Sequence, residues 1–258
     1  MTHDKGKQTN ATPPKPRSVE QVLGSAWQLY KRSFALLLPL SLIAALAAVI
    51  ERVYVLLYVA PDQLDELFRD PRYMVVVFVT LVIDLLAYGA LWAVADFAAR
   101  GERMHSLRAL GIGIRALPTM VASTVLFILS VAIGFVLLIV PGAILSVSFF
   151  LYGPLIILER RGVSDSLLES FRLVQGNWWH TAIIQTLGFG AMLLIAGVFL
   201  WMLDLLVSAL ALEAHSVAVI EVAAAAAVAI ATTPFGIILM LEIYRDLKVR
   251  RQPGNIRS

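Results

Sequence analysis

Long apolar runs separated by short polar segments make up most of the chain after residue 33. A run of about 20 apolar residues is long enough for a helix to cross the hydrocarbon core of a bilayer. The predicted spans cover approximately 34–55, 74–97, 118–140, 143–158, 181–206 and 217–244. The pattern therefore predicts an all-α fold, a polytopic membrane bundle of six transmembrane helices.

The central stretch, 117–179, shows the plan of the chain most clearly. Its first apolar run is interrupted at Pro141 and Gly142, and its second run ends at Glu159. Because no polar residue separates the two runs, we interpret them as a transmembrane hairpin without an outer loop. Gly153 and Pro154 predict a kink in the second run.

Three amphipathic stretches flank the apolar runs, at about 18–32, 100–116 and 164–175. Ser18 with Gln21 three residues later fits a capping box, and Ser164 can cap the third stretch. Each stretch places apolar residues on one helical face and basic residues elsewhere. We therefore expect three cytoplasmic interfacial amphipathic helices in addition to the six spans.

Composition agrees with this interpretation. The chain has 258 residues, of which 59% are hydrophobic and 15% charged, and it contains no cysteine. Soluble domains carry about 25% charged residues. The absence of cysteine excludes disulfides, thiolate metal sites and thiol nucleophiles.

The basic residues are distributed asymmetrically between the segments that connect the spans. Eighteen of the 21 Lys and Arg lie in the N-terminal segment, the segments 100–115 and 160–172, and the C-terminal segment. The opposite side has Arg69 and Arg72, with Arg52 embedded near it. The positive-inside rule then predicts that both termini are cytoplasmic.

Three regions follow along the chain. Residues 1–17 are polar and proline-rich, which is typical of a disordered cytoplasmic tail. Residues 18–251 form the six-span membrane domain, and residues 252–258 form a second cytoplasmic tail.

The segments also suggest a repeated unit of one interfacial helix and one hairpin. Each even-numbered span ends in an acid followed by an arginine. These pairs are Asp96 with Arg100, Glu159 with Arg160, and Glu242 with Arg245. Positive-inside loops can also produce such ends by chance, so both explanations stay open.

Several short motifs resemble those of a known group of membrane proteins. The motifs are Ala26-Trp27-Gln28-Leu29-Tyr30-Lys31-Arg32-Ser33-Phe34, Ile139-Val140-Pro141-Gly142, Leu158-Glu159-Arg160-Arg161-Gly162-Val163-Ser164, Ser170-Phe171-Arg172-Leu173-Val174-Gln175-Gly176-Asn177-Trp178-Trp179 and Tyr244-Arg245-Asp246-Leu247-Lys248-Val249-Arg250. The chain resembles YciC-like bacterial inner-membrane proteins and the related membrane domain of some glycerophosphodiester phosphodiesterases. The resemblance implies a six-span helical domain of the bacterial inner membrane. It implies no established activity, because the stand-alone members are uncharacterised and the fused phosphodiesterase barrel is absent here.

No motif predicts an enzyme. The four histidines, His3, His105, His180 and His215, are scattered and have no metal-ligand spacing. No nucleophile elbow, Walker loop or dinucleotide turn occurs. We expect no intrinsic catalytic site, no metal and no cofactor.

Charged residues inside the spans are the sharpest functional signal. Asp84 lies near the middle of the second span, where an ionised acid costs roughly 2.5–3.5 kcal/mol. Glu51, Arg52, Asp204 and Glu221 lie toward the outer ends of their spans. Asp84 could pair with Arg52, and the others could border an outward-facing polar pocket that serves a cation or proton-coupled site. Alternatively, Asp84 is an interhelical hydrogen-bonding group and the outer charges snorkel to the interface.

A second group of residues is suited to contact with lipid or with a partner. Its members are Trp27, Arg108, Arg115, Arg172, Trp178 and Trp179. Expected partners are membrane lipids and, at the cytoplasmic face, a possible protein; nucleic acid is not expected. The favoured function is an accessory role in envelope or lipid homeostasis, and the alternative is a small-solute or lipid transporter that uses the intramembrane acids.

Overall fold

The computed structural model describes residues 15–59, 67–210 and 212–252, with the backbone alone at 214 and 215. These residues form eight α-helices and no strand. The helices are α1 (Val19–Tyr58), α2 (Pro71–Ala99), α3 (Ser106–Leu137), α4 (Ile139–Phe149), α5 (Tyr152–Glu159), α6 (Val163–Val174), α7 (Trp178–Ala209) and α8 (Ala214–Arg250). Within this part of the chain, α1, α2, α3, the α4–α5 pair, α7 and α8 are six segments long and apolar enough to cross a membrane. The predicted all-α polytopic fold is confirmed.

Two ends of the bundle differ in their charge. The basic end contains the starts of α1, α3 and α7, the ends of α2, α5 and α8, and all of α6. The far end contains the end of α1, the start of α2, the end of α7 and the start of α8. Helix α1 packs against α8 and α2 along its length, α2 packs against α3, and α3 packs against α4.

Glycines allow the closest approach between α2 and α3. A Cβ atom on Gly113 would lie 2.7 Å from the carbonyl oxygen of Leu86, and one on Gly89 would lie 3.1 Å from the Cα of Gly113. Small residues at such crossings let backbones pack closely in membrane proteins. Met120, whose sulfur would lie 3.2 Å from a Cβ atom on Gly89, is fully buried at this crossing.

The first two amphipathic stretches differ from the expectation of separate interfacial helices. Residues 18–32 continue into the first apolar run as one helix, α1, and residues 106–116 continue into the third run as α3. Residues 30–34 contain no glycine or proline that would end a helix, and Pro39 and Pro118 are accommodated inside α1 and α3. Only α6 is a separate short helix at the basic end.

Helix starts agree with the sequence in one case and differ in another. The Ser18 hydroxyl accepts from the backbone N–H of Gln21, and the Gln21 side chain accepts from the backbone N–H of Ser18, so the predicted capping box is present. Ser164 does not cap α6, because the helix begins one residue earlier and Gly162 holds the N-cap position.

The breaks in the central hairpin lie a few residues before the positions that the sequence predicts. Helix α3 ends at Leu137 and α4 begins at Ile139, so the turn lies at Leu138, before Pro141 and Gly142. Proline in the first turn of a helix removes an N–H group that would have no partner there. A second break, at residues 150–151, separates α4 from α5 just before Gly153 and Pro154.

Most of the predicted N-terminal tail, residues 1–14, lies outside the described residues, as do residues 253–258. Arg17, at the end of the predicted tail, is held in place by contacts with α8. Arg17 therefore packs with the helices that follow it.

Candidate functional sites at the two ends of the bundle

A cavity of about 620 Å³ opens at the far end between α1, α2, α7 and α8. Its polar lining consists of Glu51, Arg52, Tyr73, Asp204 and Glu221. The structure thus brings four of the five intramembrane charged residues to one cavity. Three carboxylates and one guanidinium give this cavity an excess of negative charge.

Pairing inside the cavity differs from the expected Arg52–Asp84 pair. Nη2 of Arg52 lies 2.9 Å from Oε2 of Glu221, joining α1 to α8. The hydroxyl of Tyr73 donates to Oε1 of Glu51 at 2.7 Å. The side chains of Arg52 and Glu221 are 49% and 42% exposed, so solvent screens their attraction.

Asp84 lies near this group without lining its cavity, and its carboxylate is repelled by that of Glu51. It is half-buried in α2, and it has no hydrogen-bond or ion-pair partner among the described residues. Asp204 is exposed. In the part of the chain that the structure describes, no three His, Asp or Glu side chains are grouped to hold a metal ion.

The basic end contains a denser network, centred on Asp246 of α8, whose side chain is 1% exposed. Its Oδ1 accepts from the backbone N–H of Arg17 at 2.8 Å. Its Oδ2 lies 2.6 Å from Nε of Arg250 and 3.0 Å from Nε2 of His180. A buried carboxylate requires such partners, since an unpaired charge would be strongly destabilising there.

Glu242, one turn earlier on α8, is the second buried acid and is 5% exposed. Its Oε2 accepts from Nη1 of Arg17 and from the hydroxyl of Ser25. Arg17 therefore bridges both acids and fixes the start of α1 to the end of α8.

Further ion pairs join the other helices to the last turns of α8. Arg245 lies 2.9 Å from Oδ1 of Asp96 on α2, and Lys248 lies 2.6 Å from Oε1 of Glu159 on α5. Arg251, which follows α8, lies 3.9 Å from Oε1 of Glu169 on α6. These contacts hold α2, α5, α6 and α8 together at one end.

The structure also tests the predicted acid–arginine pairs at span ends. Asp96 pairs with Arg100, and Glu242 lies 3.8 Å from Arg245. Glu159 pairs with Arg161 and Lys248 instead of Arg160. Arg160 is the residue that follows α5, and its φ of 54° turns the chain away from the helix.

Sequence reasoning assigned no role to Asp246, Arg17 or His180. One signal was available, because Glu242 and Asp246 are spaced four residues apart and lie on the same face of a helix. An acidic stripe within a basic segment indicates partners on other helices.

The arginines of α3 form a different kind of surface. Arg108 and Arg115 are exposed and have no hydrogen-bond or ion-pair partner in the described ranges. The side chains of Leu107 and Ile114 beside them are 83% and 58% exposed. The opposite face of this helix is buried against α2.

The three tryptophans predicted to contact lipid or a partner lie in apolar surroundings at the basic end. Trp27, 51% exposed, lines a groove of about 700 Å³ between α1, α7 and α8, and Nζ of Lys31 lies 5.7 Å from the centre of its ring. Trp178 and Trp179 line a second apolar cavity of about 580 Å³ beside α4. Arg172 lies 3.9 Å from Glu169, and its carbonyl oxygen accepts from Arg251.

Comparison with known proteins finds partial similarity to bacterial membrane proteins. The chain is 30% identical over 101 residues to a UPF0259 membrane protein of Photorhabdus laumondii, covering 39% of this chain and 40% of that protein. It is 28% identical over 100 residues to a UPF0259 membrane protein of Serratia proteamaculans, with 39% and 40% covered. The matches thus span about two fifths of the length of these relatives.

These names state a membrane location and no activity. No family model matches the chain, and no solved structure matches it. The expected relation to the membrane domain of glycerophosphodiester phosphodiesterases has no support among these matches. Membership in a multi-pass helical membrane class is supported by both the relatives and the six apolar segments.

Proposed function

We propose that this protein is a non-catalytic accessory protein of the bacterial inner membrane that binds anionic phospholipid at its basic end and acts in envelope or lipid homeostasis. Both termini are then cytoplasmic. The observation that carries the proposal is the exposed face of α3, on which Arg108 and Arg115 have no acidic partner among the residues that the structure describes.

The composition of this face matches a membrane interface. Leu107 and Arg108 repeat seven residues later as Ile114 and Arg115, so apolar and basic side chains form adjacent rows along the helix. Apolar side chains can enter the acyl region while arginines reach the phosphates. Within the described part of this end, eight other cations are paired with acids, whereas these two arginines are available for lipid headgroups.

The groove lined by Trp27 supports the same proposal. Its walls are mainly apolar side chains of α1, α7 and α8, and it is open along one side. An acyl chain fits such a groove, with Lys31 near its basic end. Clusters of basic residues at the cytoplasmic membrane surface attract anionic lipid by about 1 kcal/mol per residue.

Lipid retention provides the test. The variant R108Q/R115Q, purified in mild detergent and loaded with mixed phosphatidylglycerol and phosphatidylethanolamine, should retain about 30-fold less phosphatidylglycerol relative to the neutral lipid, because two residues at about 1 kcal/mol each contribute about 2 kcal/mol. Native mass spectrometry measures the bound lipid. The matched control R69Q/R72Q removes the same charge from the far end and should leave retention unchanged. Equal retention by all three proteins would remove the proposal.

Transport of a small solute or lipid is a second candidate, favoured by the far-end cavity. The cavity is acidic and open, which suits a cation. Asp84, the residue that would couple such a site to the bundle interior, lies outside its lining. The accessory function is therefore the better supported of the two.

A further inference from the structure

The hairpin formed by α3 and α4 has an unusually apolar tip. All residues from 131 to 145 are apolar or glycine or proline, and this stretch includes the turn itself. The five side chains at the tip, Val136 to Val140, are between 65% and 85% exposed. Such an exposed apolar run requires a nonaqueous environment.

The neighbours of this hairpin belong to the basic end. The indole N–H of Trp178 donates to the carbonyl oxygen of Ile144 at 3.4 Å, and Ile139 and Val140 line the same cavity as Trp179. Trp178 begins α7 two residues before His180, which contacts the buried Asp246. The start of α4 therefore lies close to the charged end of the bundle.

A second contact gives the same placement independently. The hydroxyl of Ser170 on α6 donates to the carbonyl oxygen of Ser148 at 2.7 Å and accepts from the backbone N–H of Leu151 at 3.0 Å. Helix α6 is itself linked to the end of α8 through Glu169 and Arg251. Both ends of α4 are thus tied to elements of the basic end.

Helix geometry limits how deeply the tip can extend from these anchors. Leu138 is six residues from Ile144, which corresponds to about 9 Å along a helix. It is ten residues from Ser148, or about 15 Å. The hydrocarbon core is about 30 Å thick. A hairpin anchored in this way at the basic end does not span that thickness.

The backbone of the turn is compatible with a position inside hydrocarbon. The N–H of Leu138 donates to the carbonyl oxygen of Gly134 at 3.0 Å, and its own carbonyl oxygen accepts from the N–H of Gly142 at 3.3 Å. Pro141, in the first turn of α4, has no N–H to satisfy. These two hydrogen bonds and the missing N–H of Pro141 reduce the number of unpaired polar backbone groups at the turn, which lowers the cost of placing it in lipid.

We propose that the α3–α4 hairpin is a re-entrant wedge whose tip, Val136 to Val140, inserts among the acyl chains of the lipid leaflet at the basic end and does not reach the far side. Helices α1, α2, α7 and α8 then cross the bilayer, and the two termini remain on the same side. The hairpin has enough residues for two spans, but in this arrangement α3 and α4 stay within the leaflet at the basic end.

Distance measurements between spin labels test this arrangement directly. Because the chain lacks cysteine, L138C/Q175C, L138C/E213C and Q175C/E213C can be labelled without background. Gln175 and Glu213 mark the basic and far ends. Helix α7 has 32 residues, which makes the Q175C/E213C separation in lipid nanodiscs roughly 45–50 Å at 1.5 Å per residue. The L138C/Q175C distance should be less than half of that value, and the L138C/E213C distance should be the longer of the two.

The opposite order, with Leu138 nearer to Glu213 than to Gln175, would overturn the proposal. The singly labelled L138C protein supplies a second criterion. Its nitroxide should be relaxed by oxygen, which concentrates in hydrocarbon, and be shielded from a water-soluble nickel complex. Strong nickel contact would place the tip in water and would equally overturn the wedge. Elution of each variant like the parent protein controls for folding.

Discussion

Replacing Asp246 with asparagine removes one negative charge from the centre of the basic-end network. The substitution keeps the size of the side chain, so packing around it is retained. Arg250, at 2.6 Å, and Arg17, whose Nε lies 3.7 Å from Oδ1, then face a neutral amide. Removing one partner of a buried ion pair costs about 3–5 kcal/mol. We expect the lower part of this range, about 3 kcal/mol, because the guanidinium side chains are 20% and 28% exposed and regain some hydration.

The assay is thermal unfolding of the purified protein in nanodiscs, followed by intrinsic tryptophan fluorescence. For a chain of this size, about 3 kcal/mol corresponds to a Tm lowered by roughly 6–12 °C. Asp165→Asn is the matched control, because Asp165 is an exposed acid in α6. Its Tm should shift by less than about 2 °C, in keeping with a surface substitution.

A double-mutant cycle identifies the physical cause. Arg250→Gln alone should also lower the Tm, and the variant D246N/R250Q should lose less than the sum of the two single losses, because the pair is removed together. Additive losses would show that Asp246 does not interact with Arg250. A Tm of D246N within 2 °C of the parent would refute the view that this network stabilises the bundle.

Two further predictions concern helix packing and the intramembrane acid. Gly113→Ala should destabilise the protein by about 1–3 kcal/mol, because its Cβ atom meets backbone atoms of α2 and the helices have to separate. Gly111→Ala is the matched control, because no atom lies within 4 Å of the added carbon. It should be neutral or stabilising by up to about 1 kcal/mol. An equal change of Tm in the two variants would contradict this packing. Asp84→Asn should fully complement a deletion strain if the accessory function is correct, whereas loss of complementation at normal expression would favour transport.

The basic-end network explains why α8 is central to the fold. The last turns of α8 contact α1, α2, α5 and α7 through charged groups. Arg251, which follows α8, contacts α6. At the far end, the described residues form one interhelical ion pair, between exposed side chains. Thermal opening is therefore expected to begin at the far end, where hydrogen bonds are more accessible to solvent.

The sequence by itself determined the all-α class, the six apolar segments and the start of α1. These features depend on local properties: apolar run length, and hydrogen bonds between residues three or four apart, as in Ser18 with Gln21 or Asp96 with Arg100. Their physical causes act within one or two turns of helix, so the residue pattern contains them directly.

Only the tertiary structure decided which distant groups meet. Arg17 reaches Asp246 across 229 residues of chain, and Arg52 pairs with Glu221 instead of Asp84. The prediction that the central hairpin crosses the membrane used only its length. Its contacts with Trp178 and Ser170 depend instead on where α6 and α7 pack. Helix periodicity indicates which face of a helix is apolar, but the partner of that face is set by the packing of the whole bundle.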